Sequence, residues 1–279
     1  MSEILHDLSE PALVRAIEAN LFELFELWPR AAANAEVHSD ADKLWTITDV
    51  PFPLFNSVLH AQFAPDDADA AIDNLVSRYR SRNVPMLWWT GPATRPSDLG
   101  TRLEAHGLTR DEDGRGMAVD LQSLPEELPE PSGLVIEQVG DSDTLRKWCD
   151  AATLGYGMPG FCGDGLFDCF GGLGLGQQLP LRHYIGWLDG EPVATSSLFL
   201  SEGVAGIWDV ATVPDRRCRG FGSAMMSRAM REARALGYHV GVLVASSLGA
   251  GVYARLGFQD RCDIGQYVWL PAPTGEGAA

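Results

Sequence analysis

The sequence predicts an α/β (α+β) chain of two similar halves, each a sheet flanked by helices. Three features point to it. Each half runs strand, long helix, apolar strand, short helix, closing strand. The short helices align as RLEAHGL (102–108) and VYARLGF (252–258), about 150 residues apart. Between the halves lies LQSLPEELPEPSG (121–133), a proline- and glutamate-rich stretch without an apolar period. These features predict an N-terminal domain over 1–122, a linker over 123–133, a C-terminal domain over 134–271 and a frayed tail over 272–279.

Residues 11–33 carry Leu and Phe at helical spacing behind Pro11, which suits a first turn. KLWTITDV (43–50) and NSVLHAQF (56–63) read as strands. Residues 66–83 read as a helix opened by Asp66, Asp67 and Asp69, and PMLWWT (85–90) as an apolar strand. A short helix over 97–108 ends at Gly107, and GMAVDL (116–121) closes the half. The second half restarts with a strand at 134–139 and a helix at 141–154, which Asp141 or Ser142 can cap. Residues 155–180 are glycine-rich with interleaved aromatics. They are expected to form a mobile lid with apolar contacts, or else a poorly ordered surface loop. A hairpin with an Asp-Gly turn spans 183–200. Then follow a strand at 204–213, a long helix at 219–237 stopped by Gly237, a buried strand at 238–245, a short helix at 248–258 and a strand at 263–270.

Hydrophobic residues make up 46% of the chain and charged residues 21%, an ordinary globular balance. No apolar run approaches the ~18–20 residues of a membrane-spanning helix. The opening MSEILHDLSE is acidic and lacks an apolar core, so no signal or transit peptide and a cytoplasmic protein are expected. With 21 Lys+Arg against 38 Asp+Glu, the net charge is −17. That argues against general nucleic-acid binding, which needs a basic footprint. It suits attraction of cationic small molecules, although acidity also serves solubility alone. Cys149, Cys162, Cys169, Cys218 and Cys262 form no C-x-x-C pair and no zinc-type cluster, so free thiols and no metal are expected.

The informative stretch is VATVPDRRCRGFGSAMMSRAM (210–230). A strand ends, Pro214 prevents its continuation, and Arg217-x-x-Gly220-x-Gly222 opens a long helix. Small residues let backbone N–H groups approach phosphate oxygens closely, and a helix N-terminus favours an anion. Arg216, Arg217 and Arg219 can add charge-assisted hydrogen bonds. Residues 216–234 hold six Arg and one Glu, a basic island in an acidic chain. The competing reading is an ordinary strand–turn–helix with exposed arginines. The loop is neither a G-x-G-x-x-G dinucleotide fingerprint nor a P-loop, since no Gly-Lys-Ser/Thr follows.

RCRGFG (217–222) matches the R/Q-x-x-G-x-G/A pyrophosphate loop of the GNAT superfamily of acyl-CoA-dependent N-acetyltransferases, which the second half resembles. VLVASSLGAGVYARLGF (242–258) matches that family's second hallmark, a strand and short helix ending in Y-x-x-x-G-F, with Tyr253, Gly257 and Phe258. The Asn often found seven residues before that tyrosine is Ser246 here. The resemblance covers about 134–270. It implies two GNAT-like domains, each a mixed, mostly antiparallel twisted sheet, with the acyl-CoA site in the C-terminal one. It also implies acetyl transfer from acetyl-CoA to an amine by direct attack, without metal. Ala211, Thr212 and Val213 would line the pantetheine arm, the backbones of Ala211 and Val213 pairing with it. The amides from Cys218 through Arg219, Gly220, Phe221 and Gly222 to Ser223 would hold the pyrophosphate beside Arg217. Ser246 would stand in for the Asn. Tyr253 would protonate the departing thiolate, a role that a phenol of reference pKa ~10 can fill; the alternative is a packed helix residue.

For the general base, Asp209 is the carboxylate nearest the expected gap. Regular alternation sets it on the face opposite Trp208, and a bulge would change that. A water chain, or Asp164 or Asp168 of the 155–180 segment, are alternatives. Trp208 is read as a cation–π wall for the acceptor or as core. Phe161 and Phe167 are expected to complete the acceptor pocket. In the first half, PDDAD (65–69) replaces the phosphate loop and Leu103 replaces the tyrosine. An acidic loop repels pyrophosphate, so one working site is expected. The expected partner is a small-molecule amine, with no nucleic acid and no membrane, in a monomer or homodimer. Two rivals remain: an acyl-CoA-binding sensor or scaffold without turnover, and an acetyltransferase of a thiol precursor or antibiotic.

Overall fold

A computed structural model describes residues 3–125 and 131–272, so part of the expected linker (126–130) and most of the expected tail (273–279) lie outside the described residues. The N-terminal half holds helices α1 (Glu10–Leu27), α2 (Ala68–Arg82) and α3 (Leu99–Ala105). Its strands are β1 (Glu36–Ser39), β2 (Leu44–Ile47), β3 (Ser57–Leu59), β4 (Met86–Thr90), β5 (Thr109–Arg110) and β6 (Gly114–Asp120). The C-terminal half holds α4 (Ser142–Tyr156), α5 (Phe161–Leu173), α6 (Phe221–Ala235) and α7 (Ser247–Arg255). Its strands are β7 (Leu134–Gln138), β8 (Leu181–Leu188), β9 (Glu191–Ser201), β10 (Val204–Thr212), β11 (Val240–Ala245) and β12 (Gln259–Trp269). Among the described residues, no helix is long and apolar enough to cross a membrane.

Among the described residues, all twelve strands join one sheet in the order β1-β2-β3-β4-β12-β6-β11-β10-β9-β8-β7, with β5 on β12. Two neighbouring pairs are parallel, β3–β4 and β10–β11. Each is bridged by its half's long helix, α2 or α6, so the repeat visible in the sequence is a repeat of crossover units.

The halves exchange their closing strands. β6 lies between β11, pairing Val240–Ala245 with Asp120–Arg115, and the first part of β12, at Gln259–Ile264. The second part of β12 pairs Gly265–Trp269 with β4 and Tyr267–Val268 with β5. The cores follow the exchange. Met117, Val119 and Leu121 pack with Phe221, Met225 and Met226. Tyr267 packs with Val58, Ile72, Leu99 and Leu103. Burying each closing strand in the other half's core locks the two halves into one sheet.

The 155–180 segment departs from expectation. It is not a lid: half of it is α5, whose Cys162, Leu166, Cys169 and Phe170 are buried at helical spacing. Gly165 and Gly172 of α5 serve close approach to the N-terminal half. A methyl on Gly172 would stand 2.6 Å from the Ala31 carbonyl oxygen. Tight packing against the N-terminal half outweighs the ~1 kcal/mol per glycine that a helix interior costs.

Candidate active site

β10 and β11 pair only at Ala205–Gly241 and Gly206–Val242, then separate. On its other edge β10 bulges: Trp208 pairs with Ser197 and Ala211 with Thr195, leaving Asp209 and Val210 against Ser196. Asp209 takes φ +53°, and Thr195 Oγ1 donates to its carbonyl at 2.8 Å. The bulge re-aims the carboxylate, so Asp209 and Trp208 line the same space instead of opposite faces.

That space is a cleft of about 1110 Å³ between the halves. The C-terminal half supplies Trp208, Asp209, Val210, Leu243–Ser246 and Tyr253. The N-terminal half supplies Leu24, Phe25 and Trp28 of α1 and Trp89 of β4. Nothing in the sequence marked α1 as a cleft wall, because its lining residues carry the same helical apolar period as its core residues.

Asp209 ends a buried polar chain. Ser197 hydrogen-bonds its carboxylate, and Ser197 Oγ lies 2.7 Å from His183 Nδ1. For Ser197 to donate to Asp209, His183 must donate from Nδ1. Burial pushes His183 down to about 3, keeping it neutral. Burial also pushes the Asp209 carboxyl up to about 6, against the lowering effect of the Ser197 hydrogen bond. Among the described residues, the Asp209 Oδ2 atom has no hydrogen-bond partner. Ser197 and His183 were not singled out in the sequence. The signal is Thr195-Ser196-Ser197, three adjacent polar residues that are fully buried within β9.

Tyr253 reaches the cleft from α7, and enclosure pushes its phenol up to about 12. Ser246 caps α7, its Oγ accepting from the Gly249 amide at 3.4 Å, so its hydroxyl is engaged locally while the residue lines the cleft. Tyr156, at the end of α4, directs its hydroxyl at the Val210 carbonyl, 3.4 Å away.

The loop from Pro214 to Gly220 is exposed. Cys218 and Gly220 have φ of +59° and +82°, which turns the chain sharply into α6. Among the described residues no side chain caps α6, and its first turn holds no acidic residue, so the amides of Phe221, Gly222 and Ser223 keep their anion-binding capacity. A Cβ on Gly222 would meet nothing nearer than Thr212 Oγ1 at 3.7 Å, leaving open space over the helix end. Arg217 acts differently from Arg216 and Arg219. Its Nη2 donates to the Gly155 carbonyl at 2.7 Å and its Nε to the Thr212 carbonyl at 3.3 Å, tying the loop to α4 and β10.

Val213 departs from its expected role. Its amide donates to the Val193 carbonyl at 3.0 Å, and its carbonyl accepts from the Arg216 amide at 3.0 Å. Alternation along the strand then turns the Ala211 backbone toward β9 as well, and leaves Thr212 facing the gap. Phe161 is exposed and Phe167 lies under Arg146, whose guanidinium is 4.0 Å from its ring centroid. Neither lines the cleft; Leu166 and Phe170 of α5 do. Asp164 is exposed and pairs with Arg146 at 2.8 Å. Asp168 is also absent from the cleft lining.

The equivalent gap of the first half is filled by its own chain. Arg95 N–H donates to the Ala61 carbonyl at 2.9 Å, and Phe63 N–H to the Arg95 carbonyl at 3.0 Å. Asp69 of the acidic loop is held by Arg102 at 2.8 Å and His106 at 3.2 Å. Leu103 is fully buried.

Residues 166–258 match the model of the Acetyltransferase (GNAT) family. No curated protein sequence matches the chain. Among solved structures, it is similar to a GCN5-related N-acetyltransferase from Kribbella flavida, at 17% identity and TM-score 0.69, over 93% of this chain and 96% of that one. It is similar to a GCN5-related N-acetyltransferase from Sphaerobacter thermophilus, at 15% identity and TM-score 0.61, over 98% and 96%. A tandem GNAT protein from the clavulanic acid biosynthesis pathway aligns at 13% identity and TM-score 0.55, over 95% and 98%. The splayed strands, the uncapped helix and the family match agree: residues 166–258 resemble the acetyltransferase domain of the GNAT family, and the whole chain shares its fold with a tandem GNAT protein.

Proposed function

We propose that this protein moves the acetyl group of acetyl-CoA to the nitrogen of a small-molecule amine by direct attack. The observation that carries the reading is the meeting of Asp209 and Tyr253 in one cleft where β10 leaves β11. The amides of Phe221, Gly222 and Ser223, with Arg216 and Arg219, hold the pyrophosphate. Arg217 keeps the loop in place, and the Thr212 backbone faces the pantetheine arm. When bound, the donor supplies an activated acyl carbon.

Asp209 accepts a proton from the incoming ammonium, as a carboxylate of pKa about 6 can near neutrality. The neutral nitrogen bonds to the acyl carbon and the carbon–sulfur bond breaks. Tyr253 delivers its phenolic proton to the departing sulfur, since a phenol pushed up to about 12 stays protonated until a basic thiolate forms. The ammonium loses two protons in all. Asp209 passes the first to solvent; the second, lost from the nitrogen as the amide forms, returns through solvent to the Tyr253 phenolate.

The first half takes no donor, because Arg95 occupies its gap. A sensor without turnover needs no poised carboxylate, so Asp209 weighs for an enzyme. Thiol release from acetyl-CoA across an amine panel tests the reading. Release is expected to require both Asp209 and Tyr253; coenzyme A binding with no release on any amine would favour the sensor.

A further inference from the structure

The cleft is walled by rings drawn from both halves. Phe25 meets Trp89 at 5.2 Å and Trp28 at 5.8 Å between ring centroids. Trp28 meets Phe170 at 6.0 Å, and Phe170 meets Trp148 at 5.5 Å. All five line the cleft that holds Asp209 and Trp208. Three indole N–H groups are spent inside the protein: Trp208 on Asn20, Trp89 on Ser57 and Trp148 on the Ser196 carbonyl. Trp148 is fully buried and backs the wall from behind. Phe25, Trp89 and Phe170 therefore offer a ligand apolar surface rather than donors.

The wall also runs to the base. Trp148 and Phe170 flank His183 at 4.6 and 4.5 Å, and His183 holds the Ser197 that holds Asp209. Asp111 and Glu112 lie on the cleft lining and form no ion pair among the described residues, while Asp113 is paired with Arg110. A molecule suited to this space is apolar over most of its body and positive at one end. A small polar amine would leave the apolar part of the cleft unfilled and gain nothing from its lining.

Resting on the acetyltransferase reading above, we infer that the acceptor is a primary amine on a bulky, ring-containing apolar body. The body packs on Phe25, Trp28, Trp89 and Phe170, and its amine meets Asp209. The N-terminal half, which takes no donor, is thus the half that selects the acceptor.

The test compares kcat/KM with saturating acetyl-CoA for 2-(2-naphthyl)ethylamine, ethylamine and putrescine. The naphthyl amine is expected to lead the other two by about 100-fold or more, from the apolar area it buries. Leu54→Trp, at the half-buried rim of the cleft, is expected to cut that lead about tenfold or more by narrowing the space. Equal or faster turnover of ethylamine or putrescine would overturn the inference and leave the acetyltransferase reading standing. So would faster acylation of ethylamine from decanoyl-CoA than from acetyl-CoA, which would assign the rings to the donor's chain. If no amine releases thiol, calorimetry of the naphthyl amine with the protein decides. Binding would uphold the apolar amine site and sink the reading of the chemistry; no binding would sink both.

Discussion

The indole Nε1 of Trp208 donates to Asn20 Oδ1 at 2.9 Å, joining the bulged strand of one half to helix α1 of the other. The Asn20 amide donates in turn to the carbonyls of Phe199 and Ser201, at 3.4 and 3.2 Å. Gly206 makes room for this bridge, since a methyl there would overlap both Asn20 Oδ1 and Trp208 Nε1. The cleft wall is therefore set by a contact between halves that neither half makes alone.

Asn20→Ala removes the acceptor of the indole and the donor to two carbonyls. It is expected to cost about 1–3 kcal/mol, the penalty of leaving buried polar groups unpaired. It is also expected to raise the acceptor KM while leaving coenzyme A affinity within about twofold. Denaturant midpoints and calorimetry check the two parts. Unchanged stability would show that the bridge is not structural.

Asp209 must be ionised to take a proton, so kcat/KM is expected to rise with pH through about 6. Asp209→Asn is expected to lose that limb and about 10²–10⁴-fold in rate. The substrate amine adds its own pH slope, which the variant measured in parallel removes. Stability runs the other way. The folded state holds the proton more tightly than the unfolded chain, so the stability from Asp209 is present below about pH 4 and is lost as pH rises through about 6. At pH 8 the Asn variant is therefore expected to be more stable than the parent, by up to about 3 kcal/mol. A less stable variant at pH 8 would contradict the buried carboxylate.

Tyr253→Phe is expected to lower kcat by about 100-fold or more with little change in coenzyme A affinity, because it removes the proton and keeps the ring. Single-turnover kinetics beside calorimetry separate the two. Equal turnover would assign the ring to packing against Phe258, 6.2 Å away.

Gly222→Asp brings a carboxylate over the end of α6 without a clash, since its Cβ has open space. Loss of coenzyme A binding is expected, with stability within about 0.5 kcal/mol of the parent. Gly220→Ala differs: at φ +82° a side chain costs about 1 kcal/mol, so both stability and binding fall.

Much of this was legible before any coordinates. The crossover repeat, the sharp turn into α6 and the short helix that carries Tyr253 are local patterns, and RCRGFG and VYARLGF announce them within a few residues. The segment at 161–173 was not, because its glycines imitate a loop when their neighbours are unknown; Gly172 is needed only because Ala31 passes beside it. The strand exchange was hidden for a related reason. β6 and β12 read as ordinary closing strands, and nothing in a strand's own residues names its partner. Asp209 was visible as a carboxylate, but its direction depends on a one-residue bulge, and its chain to His183 spans β8, β9 and β10. The aromatic wall was missed because core and cleft residues share one composition.

Titration calorimetry with coenzyme A tests the site most directly. One molecule bound per chain, lost in Gly222→Asp, is what a single cradle at the start of α6 requires. No heat with the parent protein, or two molecules bound per chain, would contradict it.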